Sequence, residues 1–220
     1  MRNINMQGVE GPFETELRWP KSGDDPFAMK TSAWDSARIQ QNVESRFYGM
    51  VSGYRSAADS LVDRAVEDRF ERDVLVYPIL FLYRHAIELE LKWLLSNYGR
   101  QAGIQPVWNS HELKPLWEKL LQVFEALGVE DPDETNSHVA FIVAQFSKID
   151  PRSFSNRYPV DTKGIPIPVE REELDLAVLK DVLAGVFSFF DGCDGYLSEL
   201  SRLGRNPHPN HPLPQTLLFL

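Results

Sequence analysis

Apolar residues recur at the spacing of an α-helix along most of residues 34–203. Positions three or four apart fall on one helix face, which is typical of an amphipathic helix. The pattern predicts helices over about 34–70, 73–98, 111–127 and 170–203. A further helix is predicted to begin after the segment Asp131–Glu134 and to run to about residue 149. Because no strand-rich region and no internal repeat interrupts this pattern, we expect an all-α, up-down bundle of about five helices.

Prolines mark the places where the helical pattern is broken. Residues 150–170 carry Pro151, Pro159, Pro166 and Pro168, which forbid a continuous helix and predict a long loop before the last helix. A β-hairpin around Asp161–Gly164 is the alternative for this segment, and its prolines would confine it to a sheet edge. Pro78, in the second helix, either kinks that helix or marks its true first turn.

The composition bears on the size of the hydrophobic core and on the cellular compartment. The chain has 220 residues, of which 43% are apolar, and this is enough for one sizeable core. Its formal net charge of −9 argues against broad attraction to nucleic acid or to an anionic membrane, although a local basic cleft is compatible with it. The single cysteine, Cys193, allows no intrachain disulfide. No run resembles a signal peptide or a membrane span, so we expect a cytoplasmic protein without membrane contact.

Three segments are expected along the chain. Residues 1–32 are rich in proline, glycine and charge and are interpreted as an N-terminal extension. Residues 33–204 form the helical domain, and residues 205–220 form a proline-rich C-terminal tail. The tail ends in the apolar run Leu217–Leu220, which is a candidate docking segment for a partner protein.

The second helix carries a narrow polar stripe on an otherwise apolar surface. Relative to Arg84, Glu88 lies about 40° around the helix, Lys92 about 80° and His85 about 100°. A helix that is apolar nearly all round is normally buried, so these four side chains must be paired or must line a cleft. One interpretation is a structural ladder of intrahelical ion pairs. The other is a phosphate-facing cleft in which Arg84 and Lys92 bind an anion, His85 moves a proton and Glu88 orients them.

Further candidates for ligand binding lie outside the stripe. His111 opens the third helix, and Arg157, Tyr158 and Asp161 belong to the proline-broken loop, where functional residues are common. The sequence has no phosphate loop, no dinucleotide-binding glycine motif and no zinc-type spacing of cysteine and histidine. We therefore expect neither a metal site nor a cofactor.

Three segments resemble the HEPN superfamily, in particular its uncharacterised bacterial members. They are Tyr77–Lys92 on the second helix, Ser110–Trp117 at the start of the third, and Arg157–Asp161 in the long loop. The resemblance covers residues 70–200 and implies an up-down helical bundle that often forms homodimers. It also implies one of two roles: a metal-independent ribonuclease of toxin–antitoxin or antiphage systems, or an inactive binding module that partners a nucleotidyltransferase.

The nuclease members carry an arginine, usually followed by a polar residue, and a histidine a few positions further on. This chain departs from that pattern in its second helix, where Arg84 and His85 are adjacent. The segment from Arg205 to His211 matches the spacing, and Asn206 stands at the polar position, but its prolines exclude the helix that normally holds the motif. The resemblance thus leaves two catalytic sets, Arg84 with His85 and Glu88, or Arg205 with His211.

Overall fold

The computed structural model describes residues 18–28, 36–151, 153 and 155–202. These residues form α-helices and no strand, so the predicted all-α helical bundle is confirmed. The helices are α1 (Val43–Glu67), α2 (Arg69–Tyr98), α3 (Leu113–Ala126), α4 (Thr135–Ile149) and α5 (Leu176–Arg202). A 3-10 turn over Gly99–Ala102 follows α2. None of these helices has both the length and the apolar character needed to cross a bilayer.

The described residues fall into two units, one within residues 1–39 and the other within residues 40–220. In the first unit, Asp24 accepts hydrogen bonds from the Arg18 guanidinium at 2.6 Å and from the Lys21 backbone N–H at 2.7 Å, which closes a turn. All five helices belong to the second unit.

A single residue, Asp68, separates α1 from α2. The break lies earlier than the pattern predicted, because Asp68 has extended backbone and its carboxylate accepts the Phe70 N–H at 2.8 Å. The Arg72 side chain donates to the Ala65 and Val66 carbonyls at 3.1 and 3.2 Å, at the end of α1. Caps on both sides of the break satisfy the backbone groups that helix ends leave without partners.

The starts of α1 and α5 also follow capping side chains. α1 begins at Val43 and not near 34, because the Asn42 side chain accepts the Ser45 N–H at 2.9 Å. α5 begins at Leu176 and not near 170, because the Asp175 carboxylate accepts the N–H groups of the two residues after Leu176 at 2.9 and 3.0 Å. In both cases the apolar pattern extended past the cap into the preceding loop.

Pro78 lies well inside α2, so the interpretation that it marks the first turn is wrong. Proline has no N–H to bond the carbonyl of the residue four positions earlier. That residue is Val74, which is 67% exposed, so the missing hydrogen bond lies on the solvent-facing side of α2.

The predicted long loop connects α4 to α5, and the hairpin alternative is reduced to one antiparallel bridge between Val160 and Pro166. The Ile165 carbonyl accepts the Asp161 N–H at 2.8 Å. The Asp161 carboxylate accepts the N–H groups of Lys163 and Ile165 at 2.8 and 2.9 Å, which stabilises a tight turn. Prolines remove the donors that a longer ladder needs.

α2 is the central helix and packs against α1, α3 and α5. Its C-terminal half is buried on nearly every face, as the sequence pattern predicted. α3 and α5 contribute an aromatic cluster with ring centroids 5.7 to 6.5 Å apart, formed by Trp117, Phe124, Phe189 and Phe190. The polar stripe of α2 therefore lies inside the bundle, where unpaired charge is costly.

Candidate functional site

Arg84, in the middle of α2, has a fully buried side chain. Its Nε donates to the Asp150 carbonyl at 2.8 Å, its Nη2 donates to the His111 carbonyl at 2.6 Å, and its Nη1 donates to the Glu88 carboxylate at 3.1 Å. Burial lowers the pKa of Arg84, and the charges of Asp150 and Glu88 oppose that shift. One guanidinium therefore holds together the helix, the segment before α3 and the segment after α4.

Glu88, one turn further along α2, is the acceptor that the other groups share. Its buried carboxylate accepts hydrogen bonds from Lys92 Nζ at 2.8 Å and from Arg84 Nη1 at 3.1 Å, and its Oε1 lies 2.8 Å from His111 Nδ1. Burial alone raises the pKa of Glu88, but the hydrogen bonds from Lys92 and His111 outweigh burial and keep that pKa below its ordinary value. Glu88 is therefore ionised at neutral pH.

Asp150, at the end of α4, is the second buried carboxylate of the network. Its Oδ2 lies 3.9 Å from Arg84 Nε, and its side chain accepts the Ser155 N–H at 3.0 Å and the Asn156 side-chain N–H at 3.3 Å. The buried carboxylates Glu88 and Asp150 thus balance the buried cations Arg84 and Lys92, which a low-dielectric interior requires.

His111 brings this network to the surface. Its side chain is 58% exposed, whereas Glu88, the partner of its Nδ1, is 2% exposed. An ionised carboxylate only accepts hydrogen bonds, so Nδ1 carries the ring hydrogen and donates a hydrogen bond to Glu88. In the neutral ring, Nε2 then has a free lone pair for a proton from a ligand. His111 and Glu88 together form a histidine–carboxylate pair whose carboxylate is sealed from water.

His85, on the neighbouring face of α2, is half-buried among aromatic rings. It stacks on Phe81 with centroids 5.7 Å apart at 7°, and it meets Tyr54 of α1 edge-on at 4.7 Å. Burial lowers the pKa of His85, so its ring is neutral at pH 7. The charge of Glu88 opposes this shift and His111 adds to it, so both imidazoles act within one electrostatic environment.

Arg157 and Tyr158 reach the same region from the long loop. The Arg157 guanidinium lies 5.7 Å from the centroid of Phe81 and 5.9 Å from that of Tyr158. Its Nε donates to the Ser153 carbonyl at 2.6 Å, which orients the side chain. Arg157 and Tyr158 are both exposed, so a cation and an aromatic ring lie at the surface beside His85.

Lys92 and Trp108 border the opposite end of the site. Lys92 Nζ donates to the Trp108 carbonyl at 3.4 Å as well as to Glu88. The Trp108 side chain is exposed, and its ring lies 6.1 Å from Phe47 of α1, which itself lies 5.5 Å from Trp93. Aromatic rings from α1, α2 and the segment before α3 therefore surround this end.

The structure brings most of the sequence-predicted residues together. Arg84, Glu88, Lys92 and His111 share one hydrogen-bonded network. The carboxylate of Asp161 instead serves its own turn. The alternative pair Arg205 and His211 and the apolar end Leu217–Leu220 lie outside the described residues.

Sequence reasoning missed Asp150 and the aromatic residues around the imidazoles. Asp150 has a sequence signal, because it precedes Pro151 at the predicted end of a helix, but nothing in the pattern connects it to Arg84. The positions of Phe47 and Trp108 depend on how α1 and the loop before α3 pack, which helical periodicity does not specify.

Within the described ranges, no group of three or more histidine, cysteine or acidic side chains is arranged to hold a metal ion. Comparison with protein-family models, with curated proteins and with solved structures finds no match to this chain. The geometry of the site and the resemblance in sequence are therefore the basis for a functional assignment.

Proposed function

We propose that this protein is a HEPN-like effector that binds RNA and cleaves it without a metal ion, in bacterial stress or phage defence. One observation carries the proposal: an exposed imidazole, His111, has its Nδ1 2.8 Å from a buried, ionised carboxylate, Glu88. Such a pair fixes the tautomer and the orientation of the ring, which is what a general base needs.

In the proposed reaction, His111 Nε2 removes the proton from an RNA 2′-hydroxyl. The 2′-oxygen attacks the adjacent phosphorus, so that the O2′–P bond forms while the P–O5′ bond breaks. The leaving 5′-oxygen takes a proton from solvent. The products are a 2′,3′-cyclic phosphate and a 5′-hydroxyl, and no oxidant or metal is consumed.

The other residues have supporting roles in this proposal. Arg157, which is exposed and backed by Phe81, binds the phosphate through its guanidinium. Arg84 donates to buried protein oxygens, so it positions the loops and does not touch substrate. Lys92 holds Glu88 in place at 2.8 Å. The His85 ring is neutral and stacks on Phe81, which also contacts Arg157, so His85 is a second proton acceptor near the proposed phosphate position.

A non-catalytic interaction module is the second candidate, and a different surface favours it. Phe70, Val74 and Tyr77 of α2 are 85%, 67% and 58% exposed. Their spacing of four and three residues makes one apolar stripe on the helix, which is typical of a face that meets another helix. In this alternative, the charged network is structural, and the protein docks on a nucleotidyltransferase or another effector subunit.

The test is cleavage of RNA by purified protein in EDTA, with wild type beside His111→Ala, His85→Ala and Arg157→Ala. We expect His111→Ala to lower the rate by about a hundredfold or more, the usual contribution of a general base. His138→Ala is the matched control, because His138 is an exposed histidine on α4 without a described contact to the site. A folded wild type that leaves RNA intact, or a His111→Ala variant as active as wild type, contradicts the proposed mechanism.

The resemblance also supports a homodimer, and light scattering coupled to gel filtration measures the oligomeric state directly. Growth arrest on expression, abolished by His111→Ala, is the cellular counterpart of the cleavage assay. Arrest that persists in this variant favours the interaction module instead.

A further inference from the structure

We propose that the substrate is single-stranded, and that two aromatic sites flank the imidazoles and stack the bases on either side of the reacting phosphate. We name the first the Trp108 site (Trp108 with Phe47) and the second the Tyr158 site (Tyr158 with Phe81 and Arg157). This inference rests on the proposed function and specifies its substrate class.

The Trp108 site combines an exposed ring with a fixed backbone. The Trp108 side chain is 54% exposed, and its ring lies 6.1 Å from Phe47 at an edge-on angle of 63°. The Trp108 carbonyl accepts a hydrogen bond from Lys92 Nζ at 3.4 Å. Lys92 also donates a hydrogen bond to Glu88, which is the partner of His111. The Trp108 backbone is thus connected to the proposed general base by three hydrogen bonds, through Lys92 and Glu88.

The Tyr158 site combines an exposed ring with a cation. Tyr158 is 51% exposed, and the Arg157 guanidinium lies 5.9 Å from its ring centroid and 5.7 Å from that of Phe81. Phe81 stacks on His85. A ring that takes a base therefore lies beside a guanidinium that takes a phosphate, and the two kinds of contact are those that single-strand-binding proteins combine.

The two sites lie on opposite sides of the imidazoles along α2. Phe81 and Lys92, which lead to the two sites, are eleven residues apart, or about 16 Å along the helix axis. His85 and Glu88 lie between Phe81 and Lys92 on the helix, and Glu88 is the hydrogen-bond partner of His111. An RNA strand that runs along α2, with one base stacked at each site, places its sugar–phosphate backbone at the imidazoles.

This arrangement selects against a duplex. In a double helix the base faces are already stacked on each other and are not available to an aromatic side chain. Stacking accepts any base because every base has a π-face, so the sites imply little sequence preference.

The experiment measures binding apart from cleavage. The probe is a fluorescent single-stranded 2′-O-methyl RNA of mixed sequence, which has no 2′-hydroxyl to attack, and fluorescence anisotropy gives its Kd. We expect Trp108→Ala and Tyr158→Ala each to raise Kd by about tenfold or more. Trp108→Phe and Tyr158→Phe keep a ring and retain most of the affinity, and the same probe in a duplex binds far more weakly.

Phe141→Ala is the matched control, because Phe141 is a 65% exposed aromatic residue on α4 without a described ring contact. An equal loss of affinity in this variant, equal binding of single strand and duplex, or an unchanged Kd in both Trp108→Ala and Tyr158→Ala overturns the inference. Tight binding that both alanine variants weaken, with no cleavage of unmodified RNA by wild type, upholds the two stacking sites and refutes the ribonuclease proposal alone. Cleavage with a KM that neither variant changes upholds the ribonuclease and overturns the stacking sites.

Discussion

Removal of the Glu88 charge tests whether the buried network holds the helices and loops together. The substitution Glu88→Gln keeps the volume of the side chain but leaves two buried cations, Arg84 and Lys92, with only the Asp150 carboxylate near Arg84. Loss of one partner from a buried ion pair costs about 3–5 kcal/mol. Because the free energy of unfolding of a natural domain is about 5–15 kcal/mol, we expect Glu88→Gln to lose roughly a third of it.

Urea unfolding followed by circular dichroism measures this free energy. The matched control is Glu118→Gln on α3, whose 56% exposed carboxylate lies 3.9 Å from Lys114 and is expected to contribute less than about 1 kcal/mol. Glu88→Gln combined with Lys92→Met should cost less than the sum of the two single changes, because the two residues share one contact.

The effect of pH on this variant follows from the lowered pKa of Glu88. A carboxyl whose folded pKa is lower than its unfolded pKa stabilises the fold above the unfolded value, and this contribution is lost as pH falls through the folded value. The difference between wild type and Glu88→Gln should therefore be largest at neutral pH and shrink as the solution becomes strongly acidic. A Glu88→Gln variant as stable as Glu118→Gln at pH 7 would falsify the stabilising role of the buried Glu88 carboxylate.

Two further changes test other parts of the bundle. Glu90 is 7% exposed, and burial together with Asp191 and Asp194 of α5 raises its pKa to about 7, while Arg55 of α1 opposes the shift, so its contribution to stability is lost as pH rises through 7. Glu90→Gln should flatten the dependence of Tm on pH between 5 and 8 and raise Tm at pH 8, and an unchanged pH profile contradicts this. At the end of α2, a Cβ on Gly99 would lie 2.7 Å from the Ile104 carbonyl oxygen, whereas a Cβ on Gly53 in α1 meets nothing within 4 Å. In urea unfolding, we expect Gly99→Ala to lower the free energy of unfolding by about 1–3 kcal/mol and Gly53→Ala to raise it by about 0.5–1 kcal/mol. Equal effects of the two changes contradict the packing argument.

Local rules predicted the helices and the face on which the charged stripe lies. The period of 3.6 residues is enough to align Arg84, Glu88 and Lys92, and their ion pairs are observed. Helix starts were less well predicted at Val43 and Leu176, because single capping side chains and not apolar periodicity decide them.

Contacts between distant segments were beyond local rules. Arg84 meets the carbonyls of His111 and Asp150, which are 27 and 66 residues away, and backbone acceptors leave no signal in side-chain chemistry. The sequence therefore shows that the charged stripe must have partners, while the path of two loops decides which partners they are. The catalytic roles of these residues stay predictions until the cleavage assay is made.

The single-residue connection between α1 and α2 has a consequence for the order of folding. The two helices form an antiparallel pair whose contacts, such as Tyr83 with Asp59, join residues 24 apart, whereas the contact of Tyr98 with Asp194 on α5 joins residues 96 apart. The entropy lost on closing a loop grows with its length, so we expect the α1–α2 pair to form before α5 docks. Pulse-labelled hydrogen exchange should show early protection in α1 and α2 and later protection in α5, and simultaneous protection of all three helices contradicts this order. The Arg84–Glu88 and Lys92–Glu88 pairs lie within α2 and can form with this hairpin, whereas Asp150 reaches Arg84 only when the end of α4 docks.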